Sequence, residues 1–224
     1  MNIFAFMIFN KESALSMSEF LLQIKAVKLN AEDPFTWTSG LRSPIYCDNR
    51  KTLSFPGIRT FIRQHFVEVI REEFGEIDVI AGVATGAIAH GVLVAQELGL
   101  PFVYVRQQEK RHGMGNMIEG QIESGQTAIV IEDLISTGKS SGAAVQALME
   151  AEVKVKGLLA IFTYDFESAG EHLSFPGMKV FTLTDYPTLI NKALESGYIS
   201  ETNEASLLQW RQDPKKWSAE RPEK

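Results

Sequence analysis

Cysteine is nearly absent from this chain: Cys47 stands alone among 224 residues. It has no internal disulfide partner, and there is no C-x-x-C pair for zinc or redox chemistry. The expectation that follows is a reducing, cytoplasmic setting. An excess of positive charge is also lacking. The formal net charge is −6, which leaves no electrostatic footprint for nucleic acid, although a local basic pocket for phosphates remains compatible with it. Long apolar runs are missing as well. The opening MNIFAFMIFN is apolar but far too short to span a bilayer. It has no basic n-region and runs straight into Lys11-Glu12, so it does not read as a signal peptide. Neither a nucleic-acid nor a membrane partner is expected. Repeats, low-complexity tracts and linkers are absent too. What is present is ordinary for a globular chain, 45% apolar and 22% charged residues, with length for one substantial core or a core plus a small cap.

The most informative stretch is TAIVIEDLISTGKSSG, from Thr127 to Gly142. Thr127 to Ile131 is a short apolar, β-branched run, the pattern of a strand buried on both faces. Glu132 and Asp133 follow, then the small-residue run Ser136, Thr137, Gly138, Lys139, Ser140. After Gly142 the pattern turns helical. Such a loop presents backbone N–H groups and hydroxyls to one anion, and the helix start behind it adds partial positive charge. Gly138 allows close approach or a positive φ. An ordinary βα turn with a Ser-rich N-cap would account for the loop but not for two adjacent acids at the end of a buried strand. Carboxylates repel phosphate. They fit a ligand that carries sugar hydroxyls or Mg²⁺ beside its phosphate, such as a ribose bearing a 5-phosphate and a 1-pyrophosphate. The spacing is not that of a P-loop.

EDLISTGKSS resembles the binding motif for 5-phosphoribosyl 1-pyrophosphate (PRPP) in type I phosphoribosyltransferases, in the version found in orotate phosphoribosyltransferases. The resemblance implies that Glu132 and Asp133 lie against the ribose hydroxyls. It implies that Leu134, Ile135, Ser136, Thr137, Gly138, Lys139 and Ser140 form the 5-phosphate loop, with Ser136 also facing orotate. A second block, PFTWTSGLRSPIYCDNR at 34–50, reads as short β pieces broken by Ser39-Gly40 and Ser43-Pro44. It is similar to the family's F-T-x-x-S-G-x-x-S-P-x-Y signature, part of a small hood over the base. Thr38 stands where many members have a substrate-binding Lys. Arg50 reads equally as a surface salt-bridge partner.

Residues 17–29 carry a helix-like stripe, and 56–74 form an amphipathic helix. Ile77 to Ala81 reads as a buried strand, followed by Gly82 to Ala87 and a helix to about Leu98. This small-residue loop is either a tight βα turn or, by resemblance, the pyrophosphate-binding loop, with Ala84 and Thr85 as the place for a cis peptide. Pro101 to Val105 is the next strand. Behind it runs Arg106-Gln107-Gln108-Glu109-Lys110-Arg111-His112-Gly113. A solvated loop is the plain reading, but its cations and glycines also suit a flap closing on pyrophosphate. It is similar to the family's catalytic loop R-x-x-x-K-x-H-G, with Gln107 and Arg111 as departures. By that resemblance Arg106, Lys110 and His112 contact PRPP, and together with Asp133 they are the catalytic set, Lys110 foremost. Residues 119–125 suggest a small hairpin. Val153 to Thr163 and Lys179 to Leu183 read as strands, 186–197 and 201–212 as closing helices, and the charged tail from Pro214 as frayed. Some relatives carry an orotate-binding Arg after the strand ending at Thr163; this chain has none between Leu158 and Lys179.

Strand–helix alternation over 56–197 gives an α/β fold with a central parallel sheet flanked by helices, the type I phosphoribosyltransferase fold by resemblance. The expected divisions are an N-terminal extension at 1–16, with 1–10 dispensable and Met17 an alternative start, a hood at 17–55, a core at 56–197, and a C-terminal helix and tail at 198–224. Right-handed crossovers place the phosphate loops together at the carboxyl edge of the strands. The resemblance implies transfer of ribose 5-phosphate from PRPP to orotate, a pentosyltransferase step in pyrimidine synthesis. It also implies Mg²⁺ held mainly through PRPP rather than by protein ligands, and a homodimer with shared active sites. Two other readings stay open: a purine or uracil phosphoribosyltransferase, and a non-catalytic PRPP sensor.

Overall fold

A computed structural model of the chain describes residues 5–37, 39–106 and 117–221. The chain enters through a short strand, β1 (Met7–Ile8), and helix α1 (Lys11–Gln23). Asn10 caps α1: its side-chain oxygen accepts from the N–H groups of Glu12 and Ser13 at 2.9 and 3.1 Å, which satisfies donors that the helix itself cannot. Four β pieces then make the hood: β2 (Val27–Leu29), β3 (Phe35–Thr36), β4 (Arg42–Ser43) and β5 (Ile45–Cys47). β3 and β4 form an antiparallel hairpin, and β2 pairs with β5. Helix α2 (Pro56–Glu73) starts on a proline, whose missing N–H is harmless in the first turn.

The core follows as β6 (Val79–Val83), α3 (Ile88–Leu98), β7 (Phe102–Val105), β8 (Ile118–Glu119), β9 (Thr127–Ile135), α4 (Lys139–Glu150), β10 (Lys154–Thr163), α5 (Gly170–Leu173) and β11 (Lys179–Asp185). Helices α6 (Tyr186–Glu195), α7 (Glu201–Gln212) and α8 (Pro214–Ala219) close the chain. The main sheet has seven strands in the order β1-β11-β10-β9-β6-β7-β8. Every pairing is parallel except β7 with β8. Period-two alternation divides the strand residues between two apolar layers. Ile129 and Ile131 pack with α1, α2, α3 and α6, whereas Ala128 and Val130 pack with α4. β6, β9 and β10 are thereby buried on both faces, and their carboxyl ends stand side by side.

Three sequence expectations change. The stripe at 17–29 is not one helix: α1 begins earlier, at Lys11, and stops at Gln23, while Val27 and Leu29 belong to β2. A strand pairing with β5 outweighs the local helical period there. Part of the opening segment that reads as dispensable closes the sheet edge, with Met7 opposite Phe181 and Ile8 opposite Thr182. The tail from Pro214 to Ala219 is helical. Asp213 caps it by accepting from the Lys216 N–H at 2.9 Å, and Trp217 is 1% exposed.

Candidate active site

β9 continues past the apolar run to Ile135, so Glu132 and Asp133 lie inside the strand and not after it. Glu132 is buried and held on both oxygens: Oε1 accepts from the Asp133 N–H at 3.0 Å, Oε2 from the Ser141 hydroxyl at 2.9 Å. Burial and the neighbouring Asp133 charge push its carboxyl well above the usual carboxylate range. Asp133 is raised as well, by burial first. Its backbone carbonyl accepts from Asn49 Nδ2 at 2.6 Å, which ties the acidic pair to the hood. The Ile135 side chain points into the core, and its carbonyl accepts from the Tyr164 N–H at 3.1 Å. Ser136 is half-buried, Thr137, Lys139 and Ser140 are exposed, and Gly138 takes a left-handed φ of 75° at the start of α4. That left-handed turn is the conformation glycine permits, and it aims the first N–H groups of α4 outward.

The turn between β6 and α3 supplies the second wall. The Ala84–Thr85 peptide is cis, at the place the sequence suggests. The Ala84 N–H donates to the Val105 carbonyl at 2.8 Å, so this turn is fastened to the end of β7. Gly86 faces Asp133 closely: a β-carbon there would lie 2.2 Å from Oδ2. A cavity of about 370 Å³ lies between the two turns, lined by Ala84, Thr85, Gly86, Glu132, Asp133 and Ser140, with Cys47, Asn49 and Arg50 from the hood side. Burial, with Asp133 and Asp48 nearby, raises the Cys47 thiol, which keeps it a neutral wall residue. Arg50 is 64% exposed and pairs with Asp48 at 2.6 Å; it is a surface ion pair that also borders the cavity.

A larger cavity, about 560 Å³, has Ser136 and Thr137 in its lining. Trp37 and Leu41 of the hood, Phe166 after β10, and Arg211 and Lys215 at the α7–α8 corner enclose it. Asn49, Gly86 and Arg211 line these cavities without being named among the expected site residues. Gly86 lies within the small-residue turn the sequence singles out; Asn49 and Arg211 reach the cavities only through tertiary packing.

Arg106 stands where β7 ends. Its N–H donates to the Met117 carbonyl at 2.9 Å and its Nη1 lies 3.3 Å from Glu119 Oε1. The expectations for Gln107, Lys110, Arg111 and His112, and for Thr38 in the hood, lie outside the described residues. No group of three or more His, Cys, Asp or Glu side chains able to hold a metal stands together among the described residues. Three carboxylates line the smaller cavity, Asp48, Glu132 and Asp133; Asp48 is paired with Arg50 and both oxygens of Glu132 are hydrogen-bonded, which suits an ion that arrives on a ligand's pyrophosphate. No described helix is long and apolar enough to cross a membrane.

The arrangement is that of a two-part ligand site: an anion turn, an acidic strand end and a second small-residue turn in line, with an aromatic-walled cavity next to them. The chain is similar to known proteins. The model of the phosphoribosyl transferase domain matches residues 55–185. The orotate phosphoribosyltransferase of Phocaeicola vulgatus is 50% identical over 202 residues, covering 90% of this chain and 95% of that one. The orotate phosphoribosyltransferase of Listeria monocytogenes is 51% identical over 201 residues, covering 90% and 96%. Among solved structures, the orotate phosphoribosyltransferase of Aeropyrum pernix matches with a TM-score of 0.70 at 26% identity, over 82% of this chain and 99% of that one.

Proposed function

The chain belongs to the phosphoribosyl transferase domain family and, within it, to the orotate phosphoribosyltransferases, and from that membership we propose that it joins orotate to PRPP, giving orotidine 5′-monophosphate and pyrophosphate in pyrimidine synthesis. The observation that carries the reading is the layout along three neighbouring strand ends. The β6 turn at Ala84–Thr85 takes the pyrophosphate, and the β9 end at Asp133 takes the ribose hydroxyls. Ser136 to Ser140 take the 5-phosphate on the N-terminal amides of α4, and the larger cavity beside β10 takes the base.

In the reaction the bond from C1 of the ribose to the pyrophosphate oxygen breaks as a ring nitrogen of orotate bonds to C1. The ribose passes through an oxocarbenium-like state, so no strong protein nucleophile is needed. Positioning of the two reactants and stabilisation of the departing anion lower the barrier. Asp133, with Glu132 behind it, orients the ribose and offsets the positive charge forming on the ring. Glu132 acts mainly by holding the strand end in place, since both its oxygens are already hydrogen-bonded. Lys110 is the leading charge stabiliser for pyrophosphate, flanked by Arg106 and His112. Mg²⁺ carried on PRPP neutralises charge on the leaving group. The flap of one subunit serves the site of its neighbour in a homodimer, and the enzyme works in the cytoplasm.

The test is product analysis. Protein incubated with PRPP, Mg²⁺ and, separately, orotate, uracil, adenine and hypoxanthine should release pyrophosphate with orotate alone. Release with a purine or uracil instead overturns the orotate assignment, and PRPP binding without turnover on any base favours a sensor.

A further inference from the structure

The larger cavity contains a cation that none of the sequence motifs supplies. Between positions 158 and 179 the chain has no arginine, so the carboxyl end of β10 offers no positive charge of its own. Arg211 brings one there from the end of α7. Its Nε donates to the Tyr164 carbonyl at 3.2 Å, and its Nη2 donates to the Asp165 carbonyl at 2.8 Å and meets the Asp165 carboxylate. Two backbone carbonyls and one carboxylate thus fix a planar fork in a single orientation, and none of these bonds uses Nη1. The side chain is 31% exposed and lines the cavity together with Trp37 and Phe166.

The rest of the cavity matches a flat, anionic ring. Trp37, Leu41 and Phe166 give an apolar surface, and Ser136 and Thr137 add hydroxyls to the lining. Other carboxylates are occupied or turned to solvent: Asp213 accepts from the Lys216 N–H at 2.9 Å as the cap of α8, and Glu167 is exposed. Lys215 adds a second cation at the rim.

We propose that Arg211 is a specificity-determining residue for the base, binding the carboxylate of the pyrimidine while the ring lies between Trp37 and Ser136. This rests on the reading of the cavity as the base site. Arginine suits the role because its planar donors match a carboxylate with two N–H groups and its charge persists at any working pH. A site built around that contact rejects a ring lacking the carboxylate, because the oriented fork is then left without its partner. The pre-existing contacts to Tyr164 and Asp165 remove most of the rotamer freedom that binding would otherwise have to freeze.

The experiment is steady-state kinetics on the full-length enzyme with Arg211→Gln and Arg211→Lys. Arg211→Gln is expected to raise KM for orotate by roughly 10-fold or more, the effect of losing a charge-assisted hydrogen bond, with KM for PRPP changed by no more than about twofold. Arg211→Lys keeps the charge without the fork and should fall between. An unchanged KM for orotate in a variant that retains its melting temperature overturns the assignment, and so does a parallel rise in both KM values, which marks a structural role. If Arg211→Gln does not fold, Arg211→Lys decides by the same criteria. A wild-type enzyme that ignores orotate overturns the reading of the base itself. A wild-type enzyme that uses orotate, beside an indifferent Arg211 variant, overturns this assignment alone.

Discussion

A methyl group at position 86 would collide with Asp133, 2.2 Å from Oδ2. The carboxylate is the end of a side chain and can swing away, so Gly86→Ala should fold while moving the Asp133 carboxylate at the smaller cavity. The expected result is a loss of roughly 10²-fold in kcat/KM, the order seen when a positioned group shifts by about 1 Å, with little change in melting temperature. Unchanged kinetics would remove Asp133 from the ribose contact. His90 gives a second residue-scale test. Its Nε2 lies 3.0 Å from the Thr52 hydroxyl, and burial, then the Arg59 charge, hold its imidazole down at about 4 from an ordinary 6.5. The unfolded chain therefore binds the extra proton first. The contribution is fully present above about pH 6.5 and is lost as pH falls toward 4, by roughly 3 kcal/mol at most. Urea unfolding of wild type and His90→Gln at pH 7 and pH 4.5 should show the stability gap between them narrowing at the lower pH; a constant gap contradicts it. The strand–turn–helix setting of the acids and small residues at 84–85 and 132–140 was legible because strand, turn and helix start follow one another in sequence. Asn49 and Arg211 were not, because one is buried by the hood and the other carried in by a distant helix.

α8 shows how an element escapes a sequence reading. It has six residues, two of them charged, and its shortness and the charged tail around it suggest fraying. One buried anchor decides otherwise. Trp217 is 1% exposed, its indole N–H donates to the Ser206 hydroxyl at 3.2 Å, and the Arg221 guanidinium lies 4.0 Å from its ring centre. The neighbouring Ser218 hydroxyl accepts from the Arg42 N–H at 2.9 Å, so α8 also fixes the hairpin of β3 and β4. Trp217→Ala should cost about 3–5 kcal/mol in urea unfolding, as for other buried tryptophans. A cost under about 1 kcal/mol would mean that the tail does fray. β2 is the converse case. Val27 and Leu29 continue the apolar spacing of α1, and only the non-local pairing with Cys47 and Ile45 makes them a strand. The largely buried β6, β9 and β10 were readable because their apolar runs have no competing period.

At the scale of the whole molecule, the fold class followed from strand–helix alternation, while the hood's position followed from contacts no local pattern carries. Asn49 to Asp133 and Arg42 to Ser218 bind the hood to both the acidic strand and the C-terminal helices. If the flap of one subunit completes the site of the other, Lys110→Ala mixed with Asp133→Asn should recover activity in verified heterodimers, because one of the two sites regains both groups. No recovery would place Lys110 in its own subunit's site. The central claim is spatial: pyrophosphate, ribose and base lie in order along the ends of β6, β9 and β10. Its most direct test is a crystal structure of the enzyme with orotate and an unreactive PRPP analogue. The account expects pyrophosphate at Ala84–Thr85, the ribose hydroxyls at Asp133, the 5-phosphate at Ser136–Ser140, and the pyrimidine beside Trp37 with its carboxylate toward Arg211. A pyrimidine bound away from the Trp37 cavity, or a 5-phosphate held elsewhere than on the turn before α4, would contradict it.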